Sequence, residues 1–300
     1  MDNDATLHRL LRSQHGAVTT HQLTALGFTP RQVELRVKRW HSVARGVHVA
    51  SPPTFLTAVW AGLLAGGDRA VVGFEAAGYL AGYLPNEPRR IVVWARHPRR
   101  DFTVGSWRVV FRQGERVGRG TPRRTRPEDT VLDIASTSSE VDAVGALTRA
   151  LADGHTTAQK LNDALRARSR QRHRRVLQQL CSHALHGIES ALEWLFHRDV
   201  VIPHGLPMPI RQESRSAGRV DNLYAEYATI VELDGAAYHR DTLHDYFRDN
   251  EHLLSHDSWT LRYGWAHVVH EPCAVAAQVA RALQLRGWLP DATPPRCACT

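Results

Sequence analysis

Two short β-like segments near the end of the chain constrain its fold most strongly, RVDNLY (219–224) and TIVELD (229–234). The intervening AEYA is short enough for a hairpin. Whether the loop has two residues or four, paired positions add to the same value, so Asp221 is expected directly opposite Glu232. Because side chains alternate along a strand, Asp234 is expected on the same face as Glu232.

Acids inside an apolar strand need an explanation, because an unpaired carboxylate is costly to bury. Opposed carboxylates repel each other, and a divalent cation between them removes the repulsion. Oxygen ligands without thiols suit Mg²⁺ or Mn²⁺, which can activate water and stabilise a leaving phosphate oxygen. Glu193, or less favourably Glu189, could approach from the preceding helix. In the alternative interpretation, the hairpin acids pair with arginines; the candidates are Arg219, Arg248 and Arg262.

The segment around this hairpin predicts an α/β sandwich with a mixed sheet. An amphipathic helix (GIESALEWLFHRDV) precedes a loop-rich passage with three prolines and then the hairpin. A second helix (DTLHDYFRDNEHLLSHD), a strand (WTLRYGWAHVV) and a closing helix (EPCAVAAQVARALQLRG) follow. Pro272 near its start and Gly287 after its end delimit that last helix.

This series of motifs, over residues 187–288, resembles a domain-of-unknown-function family related to very-short-patch-repair endonucleases of the PD-(D/E)xK superfamily. The resemblance rests on the helix glutamate, Asp221, the Glu-x-Asp-Gly strand with a following histidine, RDN and LRY. It implies that Asp221 binds metal, that Glu232 is the acid of the E-x-K element and that Glu193 is the helix glutamate.

Asp234 departs from that pattern, because restriction-type enzymes carry a lysine there. The related family also tends to have Glu-x-Asp-Gly, so the fold assignment survives while the chemistry is less secure. Asp234 would then be a further metal ligand and His239 a general base or acid. Arg248 would take the transition-state charge. A lone histidine after a turn is more often structural, which is the alternative for His239.

The first fifty residues predict a winged helix-turn-helix. Thr29 and Pro30 start the third helix, RQVELRVKRW, and a hairpin forms around Arg45-Gly46. The expected DNA contacts are Arg31, Arg36, Lys38, Arg39 and Arg45. The stretch GAVTTHQLTALGFTPRQVELRVKRWHSVARGVHVA resembles the N-terminal domain of AbiEi-type antitoxins of type IV toxin–antitoxin systems, which implies promoter binding. The alternative is a helical packing module with solvated arginines.

The charge of the chain is divided unequally. Residues 1–180 hold 28 Arg and Lys against 15 Asp and Glu, and residues 181–300 hold 10 against 15. Two arginine-rich runs, 96–126 and 166–175, are expected as solvated faces, with phosphate contact as the alternative. The expected domains are the winged helix (1–50), a mixed α/β middle region resembling AbiEi-like proteins (51–180), the endonuclease-like domain (181–290) and a tail (291–300).

The remaining features exclude several classes. No apolar run approaches the ~20 residues of a membrane-spanning helix, and the first residues predict no signal peptide, so a cytoplasmic protein without a membrane partner is expected. The four cysteines lack zinc-site spacing. The sequence favours a DNA-binding, metal-dependent endonuclease. One alternative is a non-catalytic antitoxin or regulator that binds a cognate toxin or forms a homodimer. Another is an RNA nuclease or toxin component.

Overall fold

The computed structural model describes residues 3–185, 188–215, 218–234 and 257–290. Its contacts divide the chain into two compact units, Met1–Ile134 and Ala135–Thr300. The division falls inside the expected middle domain of residues 51–180. Both units combine helices with strands, so the predicted α/β class is confirmed. None of the described helices combines the length and apolar character needed to cross a membrane.

The first unit begins with three helices and a three-stranded antiparallel sheet. The helices are α1 (Asn3–Ser13), α2 (Thr20–Ala25) and α3 (Pro30–Val37). The strands are β1 (Ala17–Thr19), β2 (His41–Ala44) and β3 (Val47–Val49), in the order β1-β3-β2. The β2–β3 hairpin turns at Arg45-Gly46, as predicted.

Local sequence signals define where α2 and α3 begin. Thr19 and Thr29 cap them, and each threonine exchanges hydrogen bonds with the glutamine three residues later in a capping box. Pro30 occupies the first turn of α3, where its missing N–H costs nothing. Leu7, Val18 and Leu23 belong to the small core that holds these helices together.

The rest of the first unit is a six-stranded mixed sheet with three helices. The strands are β4 (Val71–Gly73), β5 (Arg90–Ala95), β6 (Phe102–Val104), β7 (Trp107–Gln113), β8 (Gly118–Arg119) and β9 (Arg124–Thr125), in the order β6-β7-β5-β4-β9-β8. The helices are α4 (Phe55–Gly66), α5 (Phe74–Ala81) and α6 (Pro127–Ala135). Gly62 lets α4 approach the sheet closely, because a Cβ there would lie 2.9 Å from Val93 and 3.0 Å from Val109.

The second unit places helices around a four-stranded mixed sheet. Its helices are α7 (Glu140–Ala152), α8 (Ala158–Ala167), α9 (Arg174–Ala184), α10 (Ile188–Leu195) with a π-helical extension (Phe196–Val201), α11 (Trp265–His270) and α12 (Pro272–Leu285). The strands are β10 (Ile210–Arg215), β11 (Gly218–Tyr224), β12 (Thr229–Asp234) and β13 (Trp259–Gly264). β10, β11 and β12 are successively antiparallel, and β13 runs parallel to β12.

Three elements differ from the sequence-based expectation. β10 lies where a loop was predicted; its residues IRQESR are largely exposed and lack the apolar alternation that indicates a strand. The short strand β4 lies between α4 and α5, where the sequence predicts only a Gly-Gly-Asp turn between two helices rich in small residues. The predicted strand WTLRYGWAHVV ends at Gly264, and α11 follows because Gly264 and His267 form a helix start.

Candidate active site of the second unit

The hairpin β11–β12 has the predicted register. Asn222 pairs with Val231, Leu223 with Ile230 and Tyr224 with Thr229. Asp221 and Glu232 are the next two residues beyond this ladder, on adjacent strands. A short 3₁₀ turn, Ala225–Tyr227, makes the connection.

Asp221 is held by its own sheet. Its Oδ2 accepts a hydrogen bond of 2.8 Å from the backbone N–H of Leu233, across the strand pair. Its Oδ1 accepts one of 3.2 Å from Nε2 of Gln212, which lies on the other neighbouring strand, β10. The carboxylate is therefore fixed by both neighbouring strands.

Gln212 joins Asp221 to the helix glutamate. The same Nε2 that binds Asp221 also donates to Oε1 of Glu193 on α10. Two carboxylate oxygens from residues 28 positions apart thus converge on one amide nitrogen. This shared donor shows that Glu193 and Asp221, both predicted site residues, lie close together in the structure. Two carboxylates that meet at one neutral amide concentrate negative charge, which a bound cation can offset.

The backbone of Gln212 has an unusual conformation. Its φ of +53° lies in the left-handed region, which a residue other than glycine enters at a cost of about 1–3 kcal/mol. Its Oε1 is buried and accepts no hydrogen bond from the described residues. The β10–β11 register places Gln212 opposite Asp221, between the pairs Arg211–Asn222 and Glu213–Val220. Strain of this kind concentrates at functional sites.

Glu232 and Asp234 differ strongly in exposure. Glu232 is only 5% exposed, and its partner in the β12–β13 register is Arg262. Asp234 is exposed, and its Oδ1 lies 3.6 Å from Nη1 of Arg262. Arg262 therefore contacts Asp234 and lies beside Glu232 in the sheet, while pairing of Asp221 and Glu232 with arginines stays a prediction.

Glu193 has a cationic partner as well. It is buried, and its Oε2 accepts a 3.0 Å hydrogen bond from Nη2 of Arg211. The guanidinium is half exposed, so solvent screens this ion pair. Arg211 and Gln212 together occupy both oxygens of Glu193.

His197 lies one helical turn after Glu193, in the π-helical extension of α10. The ring is buried, and its Nε2 lies 3.1 Å from Oδ1 of Asn222, the residue after Asp221. Burial, reinforced by the charge of Arg211, lowers the pKa of His197 against the opposing effect of the Asn222 hydrogen bond. The shift favours the neutral form of the ring. π-Helical turns are frequent at functional sites.

Several predicted site residues lie outside this description. His239 and Arg248 fall outside the described residues, as does the side chain of Glu189. Within the described residues, no three His, Cys, Asp or Glu side chains are gathered closely enough to hold a metal ion as they stand. The expected Mg²⁺ or Mn²⁺ ligation by Asp221, Glu232 and Asp234 stays a prediction.

The predicted basic face of α3 is partly neutralised within the first unit. Glu34 forms ion pairs with Arg31, at 3.0 Å, and with Lys38, at 2.7 Å. Arg36 contacts Asp4 at 2.6 Å and stacks on Phe28. Arg36 was expected on the exposed face but is only 26% exposed.

Arg39 and Arg45 complete the predicted set of DNA contacts. Both are exposed, and among the described residues no carboxylate forms an ion pair with either. Arg45 lies at the tip of the β2–β3 hairpin. These two are therefore the cations of the set most accessible to a phosphate.

Sequence reasoning missed Gln212, Arg211 and His197. The first two lie on β10, whose polar sequence gave no strand signal. Pairing the segment IRQESR antiparallel with the following segment GRVDNLY would have placed Gln212 opposite Asp221. His197 could have been found from its four-residue spacing after Glu193, which places both on one helix face.

No family model matches the chain, and a search of curated proteins finds none that is significantly similar to it.

Proposed function

We propose that the protein binds DNA through its first unit and hydrolyses phosphodiester bonds at a divalent-metal site in its second unit. The convergence of Glu193 and Asp221 on Gln212 is the observation that carries this proposal. Glu193 also binds Arg211, but the donor that joins it to Asp221 is the neutral amide of Gln212, so two acids meet around one cation and one neutral donor.

The chemistry of the carboxylates suits a hard cation, and binding one would draw them closer together than they lie in this structure. Glu193, Asp221 and Glu232 would supply carboxylate oxygens, and Mg²⁺ prefers such oxygens. When bound, the ion would supply Lewis acidity and activate water. Gln212 suits both states of the site, because its amide offers a donor without the ion and an oxygen with it.

The protein's own residues have definable roles around this site. The Leu233 N–H and Gln212 keep the Asp221 carboxylate oriented. Among the described residues, Arg262 forms an ion pair with Asp234, which stands at the position where the endonucleases that the segment resembles have lysine. We propose that this guanidinium stabilises the phosphate charge that the missing lysine would otherwise stabilise. His197 is positioned by its contact with Asn222, and burial favours its neutral form. We assign it no proton-transfer step.

The first unit would supply duplex binding. Three short helices followed by the β2–β3 hairpin support the winged helix-turn-helix interpretation, in which α3 enters the major groove. Arg39 and the hairpin-tip Arg45 are the proposed phosphate contacts, because Arg31, Arg36 and Lys38 already form ion pairs with Glu34 or Asp4. Such contacts position the protein on DNA but do not read its sequence.

Cleavage of supercoiled plasmid with Mg²⁺ or Mn²⁺ tests the proposal. Asp221→Asn keeps the shape and removes the charge, and we expect it to lower the cleavage rate roughly a hundredfold or more, because metal-derived stabilisation is worth several kcal/mol. Glu213→Gln is the matched control, because Glu213 lies on the same sheet, is exposed and is not one of the proposed site residues. Equal, metal-independent nicking by wild type and Asp221→Asn would reject the site. An RNA substrate in parallel separates DNA from RNA cleavage.

A non-catalytic regulator is the second candidate, and the ion pairs favour it. Arg211 binds Glu193 at 3.0 Å, and Arg262 lies 3.6 Å from Asp234, so arginines already offset two of the four acids. In this version the second unit would bind a cognate toxin or a second copy of the chain. Unchanged DNA binding without any cleavage by wild type would favour the regulator.

A further inference from the structure

The first unit contains a cleft of which the proposed function uses only one residue, Arg45. Its volume is about 870 Å³, within the range of small-molecule sites. Four arginines line it, and the acidic residue that also lines it is Asp68. The arginines come from three separate loops: the β2–β3 turn (Arg45), the β5–β6 connection (Arg99 and Arg100) and the β8–β9 connection (Arg123).

Most of this positive charge has no counter-charge within the described residues. Arg123 donates a 3.0 Å hydrogen bond to the backbone carbonyl of Asp68, which fixes one wall. Arg45, Arg99 and Arg100 are exposed, and no described carboxylate forms an ion pair with them. Glu115 and Asp101 contact other arginines, and Asp68 is the one acid among the described lining residues against four arginines. An anion in the cleft would meet three available guanidinium groups.

The floor of the cleft is apolar and includes one large aromatic ring. Trp60, Leu63 and Leu64 on α4 line it, and Trp60 is only partly buried by the core beneath. The wall formed by the hairpin is fixed as well, because the Thr20 N–H binds the Gly46 carbonyl at 2.9 Å. An apolar floor under a cationic rim matches a ligand with a flat aromatic part and an anionic part.

We infer that this cleft binds one nucleotide of a single-stranded DNA segment, with its base against Trp60 and its phosphates on Arg45, Arg99 and Arg100. The bases of an intact duplex are stacked inside it and cannot reach such a floor, so the nucleotide must be unpaired or extruded. Aromatic stacking with a positively charged groove is the usual basis of single-strand binding. The inference rests on the proposed function only in taking DNA as the ligand, and it does not need catalysis.

Fluorescence anisotropy of a labelled oligothymidylate with the full chain in EDTA tests the inference. We expect Trp60→Leu and Arg99→Ser each to weaken binding about tenfold, because a stacked base or a phosphate contact typically contributes that much affinity in single-strand sites. Trp60→Phe should stay close to wild type because it keeps an aromatic face. Arg90→Ser and Trp107→Leu are the matched controls, since neither residue lines the cleft. Thermal unfolding of each variant checks that it is folded.

Competition experiments identify the source of the ligand and separate this inference from the proposed function. Displacement by free dTMP at the same concentration as by the strand would assign the cleft to free nucleotides. Equal weakening by Arg99→Ser and Arg90→Ser, with no effect of Trp60→Leu, would overturn the inference in favour of diffuse charge. If the wild type binds duplex DNA but not the oligothymidylate, the inference is overturned and the proposed duplex binding stands. Failure to bind either form of DNA would overturn both.

Discussion

Each unit has a carboxylate at the centre of a polar cluster, and the two clusters are built in opposite ways. In the first unit, Asp133 is 2% exposed and accepts hydrogen bonds from Trp94 at 3.0 Å and from Arg116 at 3.2 and 3.1 Å. Arg116 also stacks on Trp94, 3.8 Å from the ring centre. In the second unit, Asp221 shares its side-chain donor with another acid, Glu193.

The difference separates a carboxylate that stabilises its fold from one that is held for another purpose. Asp133 has a cation and an indole N–H, so its charge is compensated inside the protein. Asp221 is oriented by a backbone amide and by Gln212, neither of which carries charge. A carboxylate that is positioned but forms no ion pair within the described part of the chain is suited to an added cation.

The largest expected effect on stability is in the Asp133 cluster. Asp133→Ala would leave the Trp94 N–H and the three-quarters buried guanidinium of Arg116 without their acceptor. We expect the free energy of unfolding to fall by about 3 kcal/mol, because removing one partner of a buried pair exposes the cost of burying the other. Urea denaturation followed by circular dichroism measures it. A change below about 1 kcal/mol would contradict the assigned structural role, since that is the range of exposed pairs.

The corresponding change in the second unit should barely affect stability. Asp221→Asn keeps an oxygen to accept from Leu233 and removes the repulsion with Glu193. We expect the free energy of unfolding to stay within about 0.5 kcal/mol of wild type or to rise, since relieving a functional site often stabilises a protein. The same denaturation experiment measures it. A loss as large as that expected for Asp133→Ala would assign Asp221 to the fold.

The smallest effect is a dependence of stability on pH through the buried histidine of the second unit. The pKa of His197 is lowered from its ordinary value of 6.5, mainly by burial. The unfolded chain therefore takes up the proton first, and the contribution of His197 is complete above pH 6.5 and lost as the pH falls toward its folded pKa. His197→Gln should flatten the decline in denaturation midpoint below pH 6.5. Part of the decline in midpoint should remain in this variant, because burial also lowers the pKa of His48.

The first unit's helix starts and the hairpin register were predictable because each depends on neighbouring residues. Thr29 and Pro30 define the start of α3, and the length of AEYA leaves a single register for the strands that hold Asp221 and Glu232. Glu193 could be predicted from its place on an apolar helix face. These signals depend on residues close together in the sequence, so they can be recognised before the fold is known.

The remaining parts of the site depend on tertiary pairing that leaves no local pattern. Gln212 is on a polar edge strand, and only its pairing with β11 brings it to Asp221. The contact of Arg36 could not be predicted from α3, because Asp4 reaches it from another helix, whereas the pairs of Glu34 with Arg31 and Lys38 follow from helical spacing. The arginine cleft likewise unites loops that are far apart in the sequence.

Binding of Mn²⁺ to the full-length chain, measured from the electron paramagnetic resonance signal of the free ion, tests the metal site most directly. Wild type should take up the ion, and Asp221→Asn should weaken binding at least about tenfold, because even indirect contacts to a metal are worth that much. Glu213→Gln should bind as wild type does, which excludes a general effect of lost charge. Equal Mn²⁺ affinity in wild type and Asp221→Asn would contradict the claim that Glu193 and Asp221 are brought together to hold a cation.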